Sequence, residues 1–220
     1  SFEAWWQILT TKLPVFFQGV GTTVELALCT AIFGTLLGIV VALLRMSRVK
    51  LLKVLAGAYI EFLRGTPLLV QVLIVFYGLP QMGVKLPRMT AGTVALVINS
   101  AAYMAEIVRS GIQAIDGGQT EASRSLGMNG AQTMIYIILP QAIKNILPAI
   151  GNEFISIIKE SSILYTIGIY ELTYQANKLA STNFRYLETL TISALIYFVL
   201  TFTASRLLGM LERRMRRGDR

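Results

Sequence analysis

The sequence predicts an all-α integral membrane protein with five spanning helices, and three observations lead there. Of its 220 residues, 54% are apolar and only 15% charged, against about 25% charged in an ordinary soluble domain. Five apolar runs are long enough to cross about 30 Å of hydrocarbon, which takes about 20 helical residues. Lys and Arg gather beyond alternate runs, as they do in cytoplasmic loops.

In order, the runs are residues 21–44, 52–79, 89–112, 140–158 and 187–211. Ahead of the first, Phe2, Trp5 and Trp6 precede Lys12, so no charged segment leads an apolar core as in a cleavable signal. The tryptophans suit the headgroup level. Arg45, Arg48, Lys50 and Lys53 follow the first run without an intervening acid. That loop belongs inside. The second run is long enough to include an interfacial turn or two, and six basic residues crowd between Arg206 and Arg220 after the fifth. Five spans then place the N-terminus outside and the C-terminus in the cytoplasm. The net charge of +8 is thereby explained by membrane orientation rather than by nucleic acid. Loop 113–139 falls on the cytoplasmic side. Segment 161–185, unsuited to spanning because of Glu171, Gln175, Asn177 and Lys178, is expected to lie against the outer face. With no repeat or linker, residues 1–220 read as a single domain.

Composition narrows the chemistry. The absence of His removes Ser-His and Cys-His catalysis and His-ligated metals. Cys29 lies in an apolar run and allows no internal disulfide; it reads as packing. No G-x-x-x-x-G-K-[ST] occurs, so nothing here cradles nucleotide phosphates in the P-loop manner.

Loop 113–139 reads as two short helices. Asp116 with Gln119 has capping-box spacing, Gly127 suits a left-handed helix end, and Asn129 with Gln132 repeats the capping pattern before a helix running into Pro140. Glu121 and Arg124 share a face, beside a small apolar face of Ala122 and Leu126. Such a helix suits docking into a groove on another protein; a solvated connection is the alternative.

This stretch closely resembles the cytoplasmic "EAA" loop of ABC importer permeases, whose pattern is EAA, three residues, Gly, nine residues, then I-x-L-P. Here it reads Glu121-Ala122-Ser123, Gly127, then Ile137-Ile138-Leu139-Pro140, with Ser123 replacing the second alanine. Residues 59–71, YIEFLRGTPLLVQ, look like the signature of the polar amino-acid uptake branch. The resemblance implies a type I importer (MetI-like) permease fold in a bacterial inner membrane. It also implies a cytoplasmic ATPase that binds ATP and Mg, so that this chain has no cofactor of its own. A second permease subunit, identical or related, and an extracytoplasmic amino-acid-binding protein complete the implied assembly. The coupling helix is implied to comprise Glu121, Ala122, Ser123, Arg124, Leu126 and Gly127.

Ionisable groups within a bilayer cost several kcal/mol unless paired or wet, so they point to a pathway. Glu25, Glu61, Arg64, Glu106, Lys144 and Glu153 are the candidates. Glu61 and Arg64, three apart, are expected to pair. Glu153 lies 13 residues beyond Pro140, roughly 20 Å along the helix and past the midplane. Pro148 and Gly151 are expected to break the helix just before Asn152 and Glu153. Asn145, Asn152 and Ser156 share a face with Glu153 at its edge, while Asn99, Tyr103, Glu106 and Ser110 form a facing stripe. That stripe either lines a wet cavity or bonds helices together. Glu153, Asn152, Asn99, Ser156, Tyr103 and Gln71 are therefore the substrate-binding candidates. A carboxylate there can receive an ammonium group or the side-chain cation of arginine, lysine or histidine. With no unpaired Arg expected at the same depth to welcome an acidic side chain, basic amino acids are the expected substrates. Gly34 and Gly38 allow close helix approach. An ATP-independent transporter or channel is the rival reading, but it has no use for a docking loop at this spacing.

Overall fold

The computed structural model describes residues 2–217; Ser1 and residues 218–220, the end of the basic tail, lie outside the described residues. Among the described residues every regular element is helical. The helices are α1 (Phe2–Arg45), α2 (Lys50–Gly65), α3 (Leu68–Gln81), α4 (Arg88–Gln113), α5 (Gly117–Ser125), α6 (Gly130–Ile167), α7 (Leu172–Asn183) and α8 (Tyr186–Arg217). Helices α1, α4, α6 and α8 are each long and apolar enough to cross a membrane, and α2 with α3 makes a fifth candidate span bent by 108°.

Helix α1 has 44 residues, which at 1.5 Å per residue is about 66 Å, twice the hydrocarbon thickness. It therefore begins well before the run at 21–44. Its early residues Ile8 and Phe16 pack against Leu172, Ala176 and Ile192, so this extension cradles α7 and the start of α8. Trp5 joins that cluster while Trp6 stays exposed.

Further along α1, small residues bring it onto α4. A Cβ at Gly34 would lie 2.8 Å from Ser100 Oγ, and one at Gly38 would lie 2.5 Å from Met104 Cβ. Those distances are shorter than side chains tolerate, so the two glycines serve a contact within this chain. Helix α4 becomes the most enclosed span. Around it, Val41, Ile60, Val108 and Ile146 join α1, α2, α4 and α6, and Met104 with Ile157 and Ile158 continues the core along α6.

Segment 161–185 packs partly into the bundle. Leu164, Ile167 and Ile169 are buried against Leu26, Val72 and Leu96, filling the space between α1, α3 and α4. The chain reverses at Gly168, whose φ of +76° is in the left-handed region. Arg88 Nη1 donates to its carbonyl at 3.1 Å.

The helix break falls elsewhere than the sequence predicts. Helix α6 runs without interruption through Pro148 and Gly151. Ile146 and Ile150, packed on either side of Pro148, hold the helical path. Gly151 closes the approach to the Leu208 side chain of α8 rather than loosening a turn. The real interruption is at Thr66-Pro67, between α2 and α3, where both residues are extended, with ψ of 149° and 133°. Proline disfavours a helical conformation in the residue before it, and no helix packing overrides that preference here.

Candidate functional site

Two regions gather the predicted residues. The first is the corner between α5 and α6. Asp116 caps α5 by accepting from the Gly118 N–H at 2.6 Å, a simple cap rather than a reciprocal box with Gln119. The helix ends as a Schellman motif: Met128 N–H donates to the Ser123 carbonyl at 3.1 Å and Gly127 N–H to the Arg124 carbonyl at 3.0 Å. Gly127 supplies the left-handed residue, with φ of +84°. The next helix then starts with a full capping box, in which the Asn129 side chain accepts from Gln132 N–H and the Gln132 side chain accepts from Asn129 N–H. A π turn at Thr133–Ile138 follows before the helix continues.

Ser123, the position where the pattern has alanine, is 3% exposed and lies 3.0 Å from Thr133 Oγ1 across the corner. Its hydroxyl also donates to the Thr120 carbonyl at 2.9 Å. The outer side of α5 presents Glu121, Ala122, Arg124 and Leu126, all exposed, and Leu126 is 84% exposed. A rigid corner with a bare leucine at its tip is thus the geometry of this region.

The second region is the polar stripe inside the bundle. On α6, Asn145 and Asn152 are exposed, whereas Glu153 and Ser156 are half-buried. Because α6 is continuous, Asn152, Glu153 and Ser156 remain on adjoining positions of one face. On α4, Tyr103 is half-buried beneath the Arg64 guanidinium, 5.3 Å from the ring centroid. Arg64 lies within electrostatic reach of Glu106 and Glu153. Glu106 is paired with Arg109, which donates from Nε at 2.9 Å and also from Nη2; Arg109 further contacts Gln113.

Several expectations change. Glu61 does not pair with Arg64; it approaches Arg45 at 3.8 Å with most of its side chain exposed, because α4 draws Arg64 onto Tyr103 instead. Arg64 lies within electrostatic reach of Glu153, against the expectation that no arginine serves that depth. Asn99 and Gln71 are 4% and 7% exposed, and their amides bond to each other, to the Leu63 and Thr66 carbonyls and to the Thr66 hydroxyl. The stripe thus divides: its Asn99 end bonds helices together, and its Tyr103–Glu106 part faces charged groups.

One polar site escaped the sequence reading. Glu171, fully buried, accepts from Thr173 and Tyr174 N–H at 2.8 and 2.6 Å and from the Tyr197 hydroxyl at 2.7 Å. It caps α7 and ties it to α8. Leu172 N–H donates to Thr23 Oγ1 of α1 at 3.2 Å, completing a three-helix joint. Burial pushes the Glu171 carboxyl above the usual range, while its three donors oppose that rise. An acidic residue directly before a helical run was the available signal.

Residues 34–217 match the family described as binding-protein-dependent transport system inner membrane component. A probable amino-acid permease protein of Bacillus subtilis is 39% identical over 213 residues, covering 96% of this chain and 95% of that protein. The arginine transport system permease protein of the same organism is 40% identical, covering 94% and 95%. The glutamine transport system permease protein of Escherichia coli is 34% identical, covering 96% and 97%. Among solved structures, that of an amino acid ABC transporter with histidines is 52% identical, with a TM-score of 0.91 over 94% of this chain and 96% of that one. An inward-facing methionine ABC transporter shares the fold at 18% identity, with a TM-score of 0.70 over 90% and 97% of the two chains.

Proposed function

Because this chain belongs to the binding-protein-dependent transport system inner membrane components, as the amino-acid permease subunit of an ABC transporter, we propose that it imports basic amino acids past Glu153. The subunit is a transport component and not an enzyme; ATP hydrolysis belongs to the partner ATPase. The family also implies a second permease subunit and a substrate-binding protein.

The observation that carries the specificity is the half-buried Glu153 carboxylate beside Asn152 and Ser156, past the middle of a spanning helix. A carboxylate in a water-poor setting favours a cationic partner and forms charge-assisted hydrogen bonds with it. Arg64, standing over Tyr103 nearby, suits the α-carboxylate that every amino acid brings. Support also comes from relatives named for arginine and solved with histidines, although one named for glutamine belongs to the same group. The α5 corner docks in a groove of the ATPase through Leu126 and Ala122. Closure of the ATPase pair then pushes the corner and tilts α4 and α6, which join it on either side. In this arrangement the N-terminus is outside and the C-terminus cytoplasmic.

The experiment is uptake into vesicles containing the complete transporter, with labelled arginine and with lysine, histidine and glutamine as competitors. Uptake should require ATP, and the cationic amino acids should compete best. Glu153→Gln should raise the KM for arginine by about tenfold or more, the equivalent of about 1.4 kcal/mol. An unchanged KM would assign Glu153 to structure.

A further inference from the structure

In an unbroken helix the Leu63 carbonyl accepts from the N–H of residue 67, but Pro67 has no such donor. An orphaned carbonyl inside a bilayer finds no water to replace it. Here Gln71 Nε2 donates to the Leu63 carbonyl at 2.9 Å, and Asn99 Nδ2 approaches it at 3.4 Å. Gln71 Nε2 also contacts Thr66 Oγ1 at 2.8 Å, while Thr66 Oγ1 donates to the Phe62 carbonyl at 2.8 Å. Finally, Gln71 Oε1 accepts from Asn99 Nδ2 at 2.9 Å. Two buried amides therefore join the end of α2, the start of α3 and the central helix α4.

We propose that Gln71 and Asn99 are positioning residues that set the bend of the second span by substituting for the donor Pro67 lacks, and thereby fix where Arg64 stands. Arg64 directly follows Leu63 in the last turn of α2 and lies over Tyr103, in reach of Glu153. If the Leu63 carbonyl loses its donors, the least costly relief is rotation of that last turn toward another donor, and Arg64 rotates with it. The amides act on the amino acid through Arg64 rather than by touching it. This deepens the transport reading and rests on it.

Pro67→Ala makes the idea testable, because alanine restores the missing N–H. The complete transporter would be purified with Gln71→Met, Pro67→Ala and the double substitution, and two readouts taken: thermal stability without substrate, and the KM of ATP-driven arginine uptake. Gln71→Met alone should lower the melting temperature by several degrees, since an unsatisfied buried carbonyl is left behind. In the Pro67→Ala background the same substitution should cost much less, yet the KM should stay raised by about tenfold because a straightened helix misplaces Arg64. Stability losses that simply add would overturn the donor-replacement claim. A KM restored by the double substitution would overturn the link to Arg64. Should Gln71→Met fail to assemble, Asn99→Ala in the same two backgrounds decides the matter by the same criteria. The stability cycle needs no substrate, so absence of ATP-driven amino-acid uptake by the unaltered transporter would sink the transport reading separately.

Discussion

At Glu171 a single carboxyl joins α7 to α8, and its environment makes a pH prediction. Burial raises its pKa in the folded protein, so the folded state favours the protonated form. The stability it contributes is then greatest in acid and declines as pH rises through the raised pKa. Glu171→Gln removes the titration while keeping an acceptor oxygen. The melting temperature of the variant relative to the unaltered protein should thus move in the variant's favour between acid and neutral pH; a constant difference would show that Glu171 binds protons alike in both states. Gly127 offers a second residue-scale prediction. Its φ of +84° costs an L residue about 1–2 kcal/mol, and proline cannot adopt it at all. Gly127→Ala should weaken ATP-driven uptake modestly and Gly127→Pro abolish it, with permease still present in the membrane. Gly127 was legible in advance because a left-handed helix end is a local requirement. Glu171 was not, since Tyr197 and Thr23 come from distant parts of the chain.

Among elements, the seam of α1 with α4 is the most demanding. Gly38 leaves no space for a side chain against Met104 and the Ala101 carbonyl, 3.0 Å from a built Cβ. Gly38→Val should therefore destabilise by roughly 1–3 kcal/mol or prevent accumulation in the membrane, measured by thermal denaturation of detergent-purified protein. Gly21, around which a Cβ meets nothing, should accept alanine without such loss. The G-x-x-x-G spacing was visible in the sequence, but its partner was not. Periodicity says that a helix can approach closely, whereas only packing says which helix arrives. The same division explains the two prolines. Pro148 lies where Ile146 and Ile150 hold a helical path, and Pro67 where side-chain amides compensate for a break.

The whole molecule sets its two exposed tips apart. Leu126, at the α5 corner, and Phe184, after α7, are each 84% exposed. They serve as reporters of orientation. In the permease expressed without its ATPase and with Cys29 replaced by serine, Leu126→Cys should react with a membrane-impermeant thiol reagent only from the cytoplasmic side, and Phe184→Cys only from outside. The reverse pattern would invert the proposed topology. Exposure is also uneven among the spans: α4 is enclosed, while the most apolar stretch of α8 has no fully buried residue within this subunit and leaves Leu195, Phe198, Val199 and Phe202 exposed. Lipid or a neighbouring permease must cover it, as bare apolar surface in a bundle edge does in a membrane.

The amino-acid order by itself determined that this chain is helical and crosses a bilayer, and where the corner after α5 turns. Each follows from hydrophobic length, charge placement or a cap spanning a few residues, all of which act locally. Only the tertiary structure decided that α1 extends to cradle α7, that the second span bends at Thr66-Pro67, and that Gln71 and Asn99 brace that bend. It likewise gave Arg64 to Tyr103 instead of Glu61. In a water-poor interior every polar group must find a partner, and the partner that wins is the one brought within 3 Å by helices far apart in sequence.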